Sequence, residues 1–177
     1  MASDRFAAQL NEQIAYEFGA SQQYIAVAVH YDGDSLPQLA GFFYRQAVEE
    51  RNHAMMMVQY LLDADAEVVV PAVAAPRTSF TGIVEPVEIA LAQEKKVTEQ
   101  ITALARTARE DGDFVSEQFT QWFLKEQVEE VATMSTLLTA VQRGENDVLQ
   151  VEDWVAREHG AGEGGDMTAP GAAGGAL

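Results

Sequence analysis

Four stretches of the chain place apolar residues at alternating steps of four and three, the spacing that lines one face of an α-helix. The first runs through Phe6, Leu10, Gln13, Glu17, Ala20, Tyr24, Val27 and Tyr31, and the second through Leu39, Phe43, Gln46, Glu50, His53, Met57 and Leu61. The third follows Val87, Leu91, Glu94, Val97, Ile101 and Ala108, and the fourth Phe119, Phe123, Gln127, Glu130, Met134, Leu137 and Val141. Chain breakers set the ends. The first helix starts near Ser3 and stops at Asp32-Gly33-Asp34; Ser35 stands as the N-cap of the second, with Pro37 in its first turn and an end near Leu62. The third spans Pro86 to Gly112, the fourth Asp113 to about Arg143, and a shorter amphipathic helix covers about Asp147 to Arg157. Such seams bury against one another in nearly parallel helices, so the fold class is all-α, a four-helix bundle with a short fifth helix.

Connection lengths choose the topology. The first and third links are a few residues each, which makes both helix pairs antiparallel hairpins. The middle segment, about Asp63 to Glu85, is long and rich in Val, Ala and Pro. A helix of about 27 residues is roughly 40 Å long, and about a dozen extended residues cover that distance. The segment therefore crosses the whole bundle and starts the third helix at the opposite end. Residues 1–159 form the domain; seven of the 13 glycines fall from Gly160 onward, so 160–177 reads as a flexible Gly/Ala-rich tail.

Charge narrows the partners. With 28 acidic against 11 basic side chains the net charge is −17, and the basic residues are scattered, which excludes nucleic acid as a partner and favours cations. No apolar run is long enough to span a bilayer, and the N-terminus lacks an apolar signal core. The absence of cysteine removes disulfide and thiolate-metal chemistry and suits a cytoplasmic protein.

Each seam turns polar at its middle: Glu17 in the first, Glu50 and His53 in the second, Glu94 in the third, Gln127 and Glu130 in the fourth. Opposed helices of equal length bring their midpoints together, so these six residues converge in one layer. Glu17 to Glu94, Glu50 to Gln127, His53 to Glu130 and Glu49 to Glu126 are each 77 residues apart, the mark of two hairpins of one design. Four buried carboxylates without a Lys or Arg on any seam require compensation. Two divalent cations supply it, and so would protonated, mutually hydrogen-bonded carboxyls. Carboxylates with a single imidazole suit iron or manganese rather than a tetrahedral structural zinc site. Tyr24 shares the face of Glu17, in place to hydrogen-bond a ligand carboxylate.

The segments AYEFGASQQYIA at 15–26, FYRQAVEERNHA at 43–54 and FLKEQVEE at 123–130 resemble the prokaryotic non-haem ferritins, particularly the actinobacterial ones, over about residues 5–158. The resemblance implies a ferritin-like bundle with one long crossover and a ferroxidase centre for iron storage and detoxification. In that centre Glu17, Glu50 and His53 hold one iron, Glu50 bridges to a second held by Glu94 and Glu130, and Gln127 sits beside it. Glu49, Glu126 and Glu129 match an adjacent third iron position. Haem is not implied, because Arg51 stands where bacterioferritins have methionine. The pairing of Gln127 with Glu130 in place of a second E-x-x-H, and the presence of the fifth helix, separate the chain from bacterioferritins and miniferritins respectively. The family's 24-subunit cage follows as the expected assembly, with Fe(II) and O₂ as substrates. Two other readings remain open at this level: a di-iron bundle oxidase acting on a small organic substrate, and an acidic metal buffer without redox chemistry. The tail admits a passive role or a tether to an encapsulating shell protein.

Overall fold

The computed structural model describes residues 2–160, 166 and 168–177; the part of the expected flexible tail at 161–165 and 167 lies outside the described residues. Five helices follow one another: α1 (Asp4–Gly33), α2 (Pro37–Asp63), α3 (Glu85–Glu110), α4 (Phe114–Arg143) and α5 (Val148–His159). Three start where a side chain accepts from the first turn: Ser3 from Phe6 N, Asp113 from Ser116 N, and Asp147 from Gln150 N. The second does not. Ser35 adopts a left-handed backbone (φ 61°) and is no cap, and the N-cap position falls on Leu36, whose side chain accepts no hydrogen bond. The acceptor comes instead from α5: Glu152 takes the N–H of Gln38 at 2.8 Å and of Leu39 at 2.9 Å.

The pairs α1–α2 and α3–α4 pack as hairpins, and α5 lies across the end of the bundle against α2 and α4. The connection at 64–84 has no regular structure and follows α1 for most of its length. Side-chain amides of α1 clasp it as a strand neighbour would. Asn11 donates to Glu67 O (2.9 Å) and accepts from Val69 N (2.8 Å), while Gln23 donates to Arg77 O (3.0 Å) and accepts from Arg77 N (2.9 Å). Farther on, the Tyr31 hydroxyl donates to Ile83 O at 2.7 Å. Satisfying the backbone this way makes a long irregular segment tolerable.

Two apolar clusters fill the interior. One contains Tyr24, Tyr31, Leu39, Phe43, Val87, Met134 and Leu137; the other contains Phe6, Leu10, Ile14, Met57, Leu61, Ile101 and Phe123. On every long helix the mid-seam polar residues fall between the two sets, so a polar layer divides the core.

The described part of the tail is seated on the outside of α2 and α4. Ala173 N donates to Met55 O (3.0 Å), Asn52 exchanges hydrogen bonds with the backbone of Leu177 (3.1 and 3.3 Å), and Trp122 Nε1 donates to Asp166 (3.1 Å). Ala169 and Ala172, like Phe119 and Trp122, pack against the apolar cluster that contains Phe123. Among the described residues, no helix is long and apolar enough to cross a membrane.

Candidate metal centre

The six layer residues are all buried, none more than 5% exposed. Each rides on a long helix with buried apolar turns above and below, and burial of those turns holds it in place. Glu17, Glu50 and His53 present ligand atoms within 4.8 Å of one another. His53 Nδ1 lies 3.7 Å from Glu50 Oε2, too far for a hydrogen bond. That separation is within the ~4.4 Å allowed to two ligands each about 2.0–2.2 Å from one ion. Ionised, Glu17 Oε2 and Glu50 Oε2 are buried without a hydrogen-bond partner. Buried orphan oxygens of this kind call for a cation or a proton.

On the other side, Glu94 accepts a short hydrogen bond from the Tyr24 hydroxyl and a long one from Gln127 Nε2 (3.5 Å). The carboxyl of Glu50 stands between these two halves. Burial raises it well above the usual range, and the charges of Glu94, Glu17 and Glu130 raise it further. Glu130 is raised well above its ordinary value by burial, then by Glu49, Glu94 and Glu126. Glu94 is pushed up to about 7, mainly by burial, with the Tyr24 hydrogen bond opposing. The Tyr24 hydroxyl itself is held protonated by burial and by the charges of Glu94 and Glu50. Among the described residues no Lys or Arg forms an ion pair with any of the four layer carboxylates. Their mutual repulsion in a dry core is what a divalent cation relieves.

The outer positions are less uniform. Glu49 and Glu126 bring ligand atoms within 4.8 Å of His53. Glu126 is raised to about 7 by burial and by Glu49, Glu129 and Asp166. Glu129, expected in the same trio, is outside that group and faces Lys125 at 3.7 Å, with 60% of its side chain exposed. Lys125 also faces Asp166 of the tail at 3.8 Å.

Several supporting residues escaped the sequence reading. Gln13 donates to Glu17 Oε1 at 2.8 Å, Gln46 to Glu49 Oε2 at 2.7 Å, and Thr98 to Gln127 Oε1 at 3.0 Å. Gln13 and Gln46 interrupt their seams one turn before Glu17 and Glu50, a signal that was present in the periodicity. Trp122 and Phe123 each set a ring edge against His53 at 5.7 Å, fixing the imidazole plane.

Residues 7–144 match the ferritin-like domain of the ferritin family. The chain belongs to the ferritin family. It is 57% identical to Ferritin BfrB of Mycolicibacterium smegmatis over 173 residues, covering 98% of this chain and 95% of that one. It is 52% identical to Ferritin BfrB of Mycobacterium tuberculosis over 154 residues (87% and 85%), and 37% identical to a bacterial non-heme ferritin of Staphylococcus aureus over 143 residues (81% and 86%). An open pore ferritin from the hyperthermophilic archaeon Archaeoglobus fulgidus superposes with a TM-score of 0.86 at 25% identity, covering 89% of this chain and 97% of that one. The resemblance to actinobacterial ferritins and the all-α bundle both hold, and iron storage is the family's function.

Proposed function

We propose that this ferritin oxidises Fe(II) with O₂ at the buried layer and stores the product as a ferric mineral inside a cage. The observation that supports it best is the layer itself: four buried carboxylates and one imidazole, two of the carboxylate oxygens without a donor, and, among the described residues, no Lys or Arg in an ion pair with them. One Fe(II) is taken up by Glu17, Glu50 and His53, and a second by Glu50, Glu94 and Glu130, with Gln127 beside it. The two ions give one electron each to O₂, which with two protons leaves as hydrogen peroxide. Glu50 serves both ions; Tyr24 holds Glu94 in place, and Gln13 holds Glu17. Glu49 and Glu126 receive iron after oxidation, and Glu129, turned toward Lys125, stands outside that pair.

An oxidase acting on an organic substrate would need a chamber at the layer. Two grooves, of about 530 Å³ between α4 and α5 and about 750 Å³ between α1 and the start of the crossover, lie away from the layer, and neither is such a chamber. Twenty-four copies in the cytoplasm, with α5 at the fourfold contacts, complete the reading. Docking on an encapsulating shell protein would require the tail to leave its seat on α2 and α4.

Addition of Fe(II) in air to the metal-free protein, with oxygen uptake and retained iron followed together, tests the proposal. Rapid uptake with iron kept in a particle near half a megadalton, about 24 × 19.3 kDa, is the expected result. Oxidation no faster than in buffer would overturn it.

A further inference from the structure

The imidazole of His53 belongs to two clusters of ligand atoms. A ring nitrogen comes within 4.8 Å of carboxylate oxygens of Glu17 and Glu50, and a nitrogen of the same ring comes within 4.8 Å of oxygens of Glu49 and Glu126. Helix geometry accounts for half of this. Glu50 precedes His53 by three residues and Glu49 by four, the two spacings that bring side chains together on a helix surface. Helix α4 brings up Glu126 and also Trp122 and Phe123, whose ring edges hold the imidazole at 5.7 Å each. Nδ1, 3.7 Å from Glu50 Oε2, makes no hydrogen bond to it.

The clusters differ in exposure. His53, Glu17 and Glu50 are buried, whereas Glu49 and Glu126 are partly exposed. A neutral imidazole has one free nitrogen lone pair, because its other nitrogen carries a proton. Whichever nitrogen is used, the ring ligates one ion at a time and the two clusters compete for it. Glu129 does not offer the outer pair a substitute, since its carboxylate faces Lys125 at 3.7 Å.

We propose that His53 is the shared ligand of two alternating iron positions, an inner one with Glu17 and Glu50 and an outer one with Glu49 and Glu126. An ion handed from one to the other on this ring moves from buried to partly exposed carboxylates. The proposal rests on the ferroxidase reading above, because the inner position is the first iron site of that reading.

Zn(II), which does not change oxidation state, is the probe, located by anomalous diffraction in crystals of the assembled protein and titrated by calorimetry in solution. In the wild type, inner and outer occupancies should sum to about one ion per subunit, the capacity of one neutral ring. Glu17→Ala should move Zn(II) to the outer position, and Glu126→Ala should raise the inner occupancy, an exchange that a merely structural His53 would not produce. His53→Gln should weaken both positions about tenfold or more. The second site of the pair, Glu50 with Glu94 and Glu130, lacks an imidazole and should keep its Zn(II) in His53→Gln. Should that variant fail to assemble, the exchange between Glu17→Ala and Glu126→Ala decides alone. Full occupancy of both positions in the wild type, an outer ion bound by Glu129 in place of His53, or no outer ion in Glu17→Ala overturns the sharing and spares the paired site. A wild-type protein with no Zn(II) at Glu50, Glu94 and Glu130 or at the inner position overturns the ferroxidase reading as well.

Discussion

Glu152 of α5 accepts the backbone N–H of Leu39 at 2.9 Å, across 113 residues of sequence. With its second oxygen on Gln38 N, it closes the start of α2, where no local side chain does so. The relation is reciprocated: Arg45 of α2 donates to the carbonyl of His159 at 2.6 Å, at the end of α5. Each helix thus satisfies backbone groups that the other cannot satisfy for itself, and α5 is held to α2 at Glu152 and at its C-terminal His159. The direction of α5 relative to α2 is set by this exchange.

Glu152→Ala is therefore expected to lower stability by about 0.5–2 kcal/mol, the range for loss of an N-cap, toward its upper end because the carboxylate is buried. Thermal unfolding would show the loss, and sedimentation a smaller assembled fraction. Glu152→Gln keeps one acceptor oxygen and should recover part of both. An unaltered melting temperature in Glu152→Ala would remove α5 as the cap of α2.

Glu50→Ala and His53→Ala should each slow the initial oxidation of Fe(II) about tenfold or more while the bundle still folds. Glu50 stands between the charges of Glu17, Glu94 and Glu130, so its removal relieves repulsion in the metal-free state, and the apoprotein is expected to be no less stable. Stopped-flow absorbance and thermal unfolding of the same samples check the two halves. Equal initial rates in wild type and both variants would dismiss the assignment of the paired site.

The pH dependence follows from raised carboxyls. Glu94 and Glu126 are held up to about 7 from an ordinary 4.5, so between those values the folded metal-free chain binds more protons than the unfolded one. Their contribution to stability is fully present below about 4.5 and is lost as pH rises through about 7. The metal-free protein should accordingly melt at a lower temperature at pH 8 than at pH 5. Zn(II) competes with those protons, so its stabilising effect should be larger at pH 8. A Zn(II) effect that shrinks as pH rises would contradict this picture of the layer.

The seat of the tail can be read from one fluorophore. Trp122 donates to Asp166, Ala169 and Ala172 pack against the same apolar cluster as Trp122, and the chain has only one other tryptophan, Trp154. In a Trp154→Phe background, deletion of residues 166–177 should expose the indole and shift its emission to the red. Emission that does not move would mean that the tail does not occupy this seat in solution.

Helical periodicity is a local property, and it made most of the bundle legible from the residues. A side chain on a 3.6-residue repeat faces the interior or it does not, whatever the partner. The seams and their polar middles followed from that rule, the hairpins and the crossing of the bundle from the lengths of the connections, and the 77-residue phase tied the two hairpins together. What only the tertiary structure decided are the polar contacts between distant segments. Ser35 looked like a cap because serine before a helix commonly is one, whereas its left-handed backbone leaves that work to Glu152. Asn11 and Gln23 on α1 gave no sign that they would clasp the crossover, since an amide's partner depends on which backbone is brought opposite it. Gln13 and Gln46 were visible as polar breaks in their seams, but their roles depend on distances to single oxygen atoms. Glu129 shares its helix with Glu126 and Glu130, yet one step of about 100° around the axis turns it from the layer to Lys125. The pattern of apolar residues determines which faces are buried; the meeting of individual hydrogen-bonding atoms is determined only once those faces have packed.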